Sequence, residues 1–190
     1  MDHVAYTTFL KKSIPVYCGE TTKILLEALS KIRVRNLEFN VKDIQFKPFR
    51  TGDKIQIGSI EVEPVHVDHS VPGAYGFIIH TSSGSLTYTG DFRLHGTKPE
   101  MTQDFIEKAK EAKPVAMIPE GTNMAGAEIS SEPEVEKKLT KLIKCKSGIV
   151  LVDFARADID RLRSVYQAAK RNGRNLVIPL KPAYILEALK

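Results

Sequence analysis

Cysteine, histidine and long apolar runs are all scarce in this chain of 190 residues. The 2 cysteines, Cys18 and Cys145, stand far apart and neither has a CxxC partner. That argues against a zinc knuckle and reads as two buried thiols in a reducing cytoplasm. No stretch approaches the ~18 uninterrupted apolar residues of a membrane-spanning helix. The first residues carry an acid and a histidine, not a basic region followed by an apolar run, so no signal peptide is visible. Aromatic residues make up 7% and show no base-stacking pattern, so core packing accounts for them.

What is present is an ordinary globular composition, 42% hydrophobic and 27% charged, with charge distributed unevenly. Residues 1–122 hold 15 Lys and Arg against 15 Asp and Glu, for a net of zero; residues 123–190 hold 13 against 8, for +5. A basic last third is either a lysine-rich solvated surface, the commoner case, or a footprint for polyanions.

Short apolar runs alternate with amphipathic stretches, the pattern of a layered α/β protein. A strand is expected at 14–18. A helix follows over 20–33, capped by Thr21 or Thr22, with Ile24, Leu25, Ala28, Leu29 and Ile32 on one side. Strands are expected at 43–49, 54–57, 60–67, 75–80 and 85–88, with glycine in the intervening turns. Thr102 is read as the cap of a helix to about 113, followed by a strand at 115–118. A small, polar stretch at 124–130 suggests a linker. Beyond it, Ser131 and Glu134 form a capping box that opens a helix to about 144. Strands at 148–154 and 175–180, alternating with helices, predict adjacent parallel strands in a Rossmann-like sheet. The final helix, 183–189, has no closing strand after it.

Histidine occurs at positions 3, 66, 69, 80 and 95 only. His3 follows Asp2. His69 follows the strand at 60–67, in His66-Val67-Asp68-His69-Ser70-Val71-Pro72. Asp91 follows the strand at 85–88, in Tyr88-Thr89-Gly90-Asp91-Phe92-Arg93. Imidazole and carboxylate are what Zn²⁺ takes where no thiolate is offered, and strand ends hold ligands rigidly while leaving them open to solvent. Singly, each is weak: a histidine at a strand end is usually structural, and Gly-Asp is usually a turn. His66 is expected on the opposite strand face from His69 and His80 in a structural role; Asp68 is expected to face away, the alternative being a carboxylate that supports a ligand, and His95 to face solvent, the alternative being the cleft.

In combination, Asp2-His3, His69-Ser70-Val71-Pro72 and Tyr88-Thr89-Gly90-Asp91 resemble the metallo-β-lactamase superfamily, and within it the β-CASP nucleases such as the ribonuclease J-like enzymes. Pro119-Glu120-Gly121-Thr122-Asn123 resembles the acidic first β-CASP motif. Residues 153–161 resemble the strand-to-helix start of the β-CASP domain. The resemblance implies a partial αββα metallo-β-lactamase sandwich over 1–122, followed over 123–190 by the start of a Rossmann-like β-CASP domain. It further implies two zinc ions held by Asp2, His3, His69 and Asp91, with Asp91 bridging them, and catalytic carboxylates at Asp2 and Glu120. The implied reaction is hydrolysis of RNA phosphodiesters by a hydroxide that the two metals activate, with single-stranded RNA as partner, a cytoplasmic location, and room for a homo-oligomer. Arg156 and Arg161, near a helix start, could meet RNA phosphates, although for Arg161 a surface ion pair is as good a reading. The family's H-x-H-x-D-H motif survives only as Asp2-His3, and its later histidines have no counterpart before Lys190. The chain is therefore expected to be a piece of a longer protein and, alone, to bind metal poorly and cleave RNA slowly. Two alternatives stand beside this: a thioester or lactam hydrolase of the same fold, and a non-catalytic binding module.

Overall fold

A computed structural model describes residues 14–32, 41–122 and 129–190. Asp2, His3 and residues 124–128 of the linker expected at 124–130 lie outside the described residues. The first strand, β1 (Val16–Gly19), runs directly into helix α1 (Glu20–Ile32) and pairs in parallel with β2 (Phe46–Phe49). The strands β3 (Ile55–Ile57), β4 (Ile60–His66), β5 (Tyr75–Thr81) and β6 (Gly84–Tyr88) then form an antiparallel meander. Helix α2 (Pro99–Ala112) crosses over to β7 (Ala116–Ile118), which lies parallel to β6 and completes a five-stranded sheet in sequential order. The last third supplies α3 (Glu132–Lys144), α4 (Ile159–Arg171) and α5 (Leu180–Ala188).

Helix α2 covers one face of the sheet, and Phe105 joins Val65, Val67 and Ile78 in a buried cluster flanked by Ala74, Phe92 and Ala112. That helix approaches β5 so closely that a Cβ on Gly76 would lie 2.5 Å from the Phe105 ring. Aromatic rings pack edge to face elsewhere, with Phe49 5.0 Å from Tyr75 and 5.8 Å from Phe77. The second apolar cluster joins parts of the chain that lie far apart in sequence. Leu25 and Leu29 of α1 meet Ile185 of α5, with Ile32, Val71, Ile159 and Leu189 around them.

Most expected elements are present, and the architecture is mixed α/β. The Ser131–Glu134 capping box forms in full: the Glu134 amide donates to Ser131 Oγ and the Ser131 amide to Glu134 Oε2. Five expectations are corrected. Cys18 is buried, but Cys145, at the C-terminal end of α3, is exposed. In α1, Leu26 is buried while Ile24 is 39% exposed, because the helix packs both on its own β1–β2 layer and on α5. No cap comes from Thr21 or Thr22, since the helix begins at Glu20 and the Thr22 hydroxyl donates instead to the Gly73 carbonyl. Thr102 caps nothing either: α2 begins at Pro99, leaving Thr102 buried inside the helix. Finally, 148–154 and 175–179 are not strands. Ile149, Leu151 and Val177 are 92%, 91% and 88% exposed. β-branched sequence supplies only a propensity; a strand also needs a neighbour to take its ladder hydrogen bonds, and no described residue flanks these segments as a strand. Just ahead of the second segment, the Arg174 guanidinium donates to the carbonyls of Gly148 (2.7 Å) and Lys146. The adjacent parallel pair of a Rossmann-like sheet is thus not formed.

Candidate functional site

Sheet topology determines which strand ends can meet. β4 and β6 both run antiparallel to β5, and β7 runs parallel to β6, so the C-terminal ends of β4, β6 and β7 share one sheet edge. The segments leaving those ends carry His69, Asp91 and Glu120 respectively.

The chain leaves β4 after a last pairing of the Val67 amide with the Ala74 carbonyl (3.0 Å), and His69 lies in the loop beyond. It leaves β6 through Thr89, whose amide donates to Ile118 O (3.1 Å), and turns at Gly90 with φ +57°. A Cβ at Gly90 would sit 2.6 Å from the Tyr75 carbonyl oxygen. Both the left-handed backbone and the close approach require glycine there. This turn brings Asp91 Oδ2 to 4.0 Å from His69 Nε2, with the two side chains 38% and 30% exposed.

Glu120 follows β7 and is braced on both sides. Its amide donates to Thr89 Oγ1 (3.0 Å), its Oε1 accepts from the Phe92 amide (3.0 Å), and its Oε2 accepts from the Thr122 hydroxyl (2.6 Å). Burial pushes its pKa up, but the Thr122 hydroxyl, the Phe92 and Thr122 amides and nearby His69 outweigh this and hold it below the usual range. For His69, burial lowers the pKa first, Asp91 opposes that, and Arg93 adds to the lowering. His69 is therefore a neutral imidazole at pH 7, with a ring nitrogen lone pair available, beside two carboxylates.

The arginines expected to meet RNA lie apart in environment. Arg156 is exposed in the loop before α4. Arg161, in the first turn of α4, donates from Nε (3.0 Å) and Nη2 (2.7 Å) to Glu132 Oε1, and its guanidinium is engaged there. Glu132 is 4% exposed and also accepts from Ser164 Oγ (2.8 Å). Burial raises the Glu132 pKa, but the hydrogen bonds from Arg161 and Ser164 overcome it and hold the carboxyl low. The remaining histidines have ordinary roles: His66 stacks on Tyr75 at 4.7 Å, the ring of His80 is bonded to Ser85 Oγ at 2.9 Å, and the His95 carbonyl accepts from the Glu132 amide.

Beneath the site lies a buried polar group built on Asp68, the placement that the sequence left as the second reading for that residue. Asp68 is buried (3% exposed) and not turned to solvent. It pairs with Arg93, which also pairs with Asp160 of α4. The only sequence sign of it is that Asp68 and Arg93 flank His69 and Asp91 inside the two motifs; Asp160 carries no local signal at all.

Zinc in a catalytic site takes three protein ligands. His69 and Asp91 have suitable donor chemistry and lie close enough to share one ion. Among the described residues no group of three His, Cys, Asp or Glu is gathered to hold a metal. His69 and Asp91 are thus two donors where three are needed; Asp2 and His3, which the resemblance would add, lie outside the described residues.

No protein-family model matches the chain. It is 29% identical over 170 residues to ribonuclease J of Sinorhizobium meliloti, covering 87% of this chain and 29% of that protein. Ribonuclease J of Thermus thermophilus is 28% identical over 190 residues, covering 93% and 32%. A solved structure from Enterococcus faecalis, a protein of unknown function, superposes with a TM-score of 0.78 at 26% identity, covering 94% of this chain and 44% of that one. The chain is thus similar to proteins named ribonuclease J, at 29% and 28% identity. It spans about a third of the length of these curated relatives. Among the described residues, no helix is long and apolar enough to cross a membrane.

Proposed function

We propose that the chain carries part of the active centre of a zinc-dependent ribonuclease, in which His69 and Asp91 are metal ligands together with Asp2 and His3. The observation that carries this reading is the 4.0 Å approach of His69 to Asp91 across two loops, in a chain whose relatives are named ribonuclease J. When bound, the metal would lower the pKa of a water and offset charge on the scissile phosphate. The chain's own residues do the rest. His69 offers a neutral ring nitrogen, because burial depresses its proton affinity. Glu120 stays ionised and, through the Phe92 amide, fixes the loop that carries Asp91. Asp2 is the second carboxylate assigned to catalysis.

Single-stranded RNA is the proposed substrate, and the cytoplasm the proposed location. The basic last third, at +5, is proposed to attract the backbone. Exposed Arg156 is the foremost contact; Arg161 can take part only by sharing or leaving Glu132. We also keep the division into 1–122 and 123–190 as a proposal about domains, one that must accommodate the shared core of α1 and α5.

Zinc titration against a chromophoric chelator tests the site. Binding by this chain alone is expected to be weak, and affinity should fall further in His69→Ala and in Asp91→Ala, by at least the roughly tenfold that losing a residue behind a ligand costs. Equal affinity in wild type and both variants would remove these residues from the site. RNA hydrolysis that persists undiminished in Asp91→Ala would refute the ribonuclease mechanism. RNA binding that weakens steeply with salt separates this reading from a thioester or lactam hydrolase.

A further inference from the structure

The two loops that carry His69 and Asp91 are tied together under the site. The Arg93 amide donates to Asp68 O (2.8 Å), the Asp68 amide donates to Thr102 Oγ1 (2.9 Å), and that hydroxyl donates to Arg93 O (2.9 Å). A third body grips this knot from outside. Arg93 Nη2 bonds Asp160 Oδ2 at the start of α4, and also reaches Asp68 Oδ1 at 3.4 Å. Asp160 Oδ1 accepts from Thr97 Oγ1 (2.8 Å), so one carboxylate of α4 holds the Asp91 loop at two points. The first amide of α3, Glu132, adds a third by donating to His95 O (2.9 Å), and Glu132 is itself fixed to α4 through Arg161 and Ser164.

As a stability device this knot is poor. Arg93 is 9% and Asp68 3% exposed, and Asp68 Oδ2 and Arg93 Nε are buried with no hydrogen-bond partner among the described residues. Burying charge with unfilled valences costs more than it returns, and an apolar replacement is often at least as stable. Its placement suits a different task. Asp68 directly precedes His69, and Arg93 lies just beyond Asp91.

We propose that Arg93 and Asp160 are positioning residues, through which the α3–α4 pair sets the separation of His69 and Asp91. That this separation serves metal binding rests on the zinc-site reading above; the clamp itself does not.

The test uses the whole chain without metal, labelled for histidine ring NMR, with the His69 signal assigned by its loss in His69→Ala. Asp160→Asn keeps shape and the hydrogen bond from Thr97 but removes the charge facing Arg93. Arg171→Gln breaks the ion pair between the far end of α4 and Glu136 of α3, away from Asp160, and serves as control. Asp160→Asn should shift the His69 signal, leave His80 in place, and speed amide exchange over 89–97 by roughly tenfold; Arg171→Gln should do neither. Arg93→Lys, which keeps the charge but not the fork, should shift His69 in the same direction. If Asp160→Asn lowers stability yet leaves the His69 signal and the 89–97 exchange as in the control, the clamp is overturned. A zinc titration on the same samples judges the other reading separately. Zinc lost in His69→Ala but unchanged in Asp160→Asn with an unmoved ring signal keeps the metal site and rejects the clamp. A moved ring signal in a chain whose zinc affinity, however weak, is the same in wild type and His69→Ala keeps the clamp and rejects the metal site.

Discussion

Truncating Ile185 to alanine measures how far the last helix is part of the same folded body as the first. Ile185 is fully buried, against Leu25 (1%) and Leu29 (4%) of α1. Three buried carbons are removed, at roughly 0.8 kcal/mol each, or about 2.4 kcal/mol. The residual cavity brings the cost of such truncations into the range of about 2–5 kcal/mol. We take about 3 kcal/mol as the expected loss. For a chain of this length that lowers Tm by about 6–12 °C. Thermal unfolding followed by far-UV circular dichroism reads it. A single transition, shifted as a whole, is expected because the cluster spans both ends of the described chain. Leu29→Ala should cost a similar amount, and the double variant should fall short of additivity by about 0.5–3 kcal/mol, since the two side chains share one cavity. A shift below about 2 °C, or a new low-temperature step involving only helical signal from the last third, would show that α5 is peripheral and that residues 123–190 fold by themselves.

Two further outcomes follow from titratable groups. Burial pushes the Cys18 thiol up to about 11, whereas Cys145 is exposed. An aromatic disulfide reagent at pH 8 should therefore find one fast thiol, absent in Cys145→Ser, and a second only on unfolding; two fast thiols would contradict the packing of β1 against α1. Burial holds His66 below its ordinary pKa of about 6.5. The unfolded chain then binds a proton there that the folded chain refuses, so stability falls as pH drops below about 6.5. His66→Phe, which keeps the stack on Tyr75, should flatten the stability profile between pH 7 and 5, and an unchanged slope would mean that His66 is not the source.

Local chemistry made much of this fold legible in advance. Turn glycines marked the meander, the Ser131–Glu134 box marked the start of α3, and motif order placed His69 and Asp91 at strand ends that the sheet does bring together. What escaped was set by distant partners. Thr102 carries the signature of a cap, yet Pro99 starts the helix earlier and leaves the hydroxyl to bond Asp68 and Arg93. For Arg161 the ion-pair reading holds, but its partner, Glu132 of another helix, has no local signal. The runs at 148–154 and 175–180 have strand composition, and composition cannot supply the neighbour that a strand requires.

The contact between Gly76 and Phe105 has a consequence for how such sequences vary. Gly76 adopts no left-handed backbone; its constraint is the phenyl ring of α2, 2.5 Å from where a Cβ would stand. The two positions therefore trade volume, and neither can drift alone. A methyl group at 76 forces α2 outward from β4 and β5, and because Thr102 rides on that helix, the displacement would reach the loops of His69 and Asp91. Among related chains, a larger residue at 76 should travel with a smaller one at 105, making this pair a covarying hinge pin between sheet and helix rather than two independent core sites.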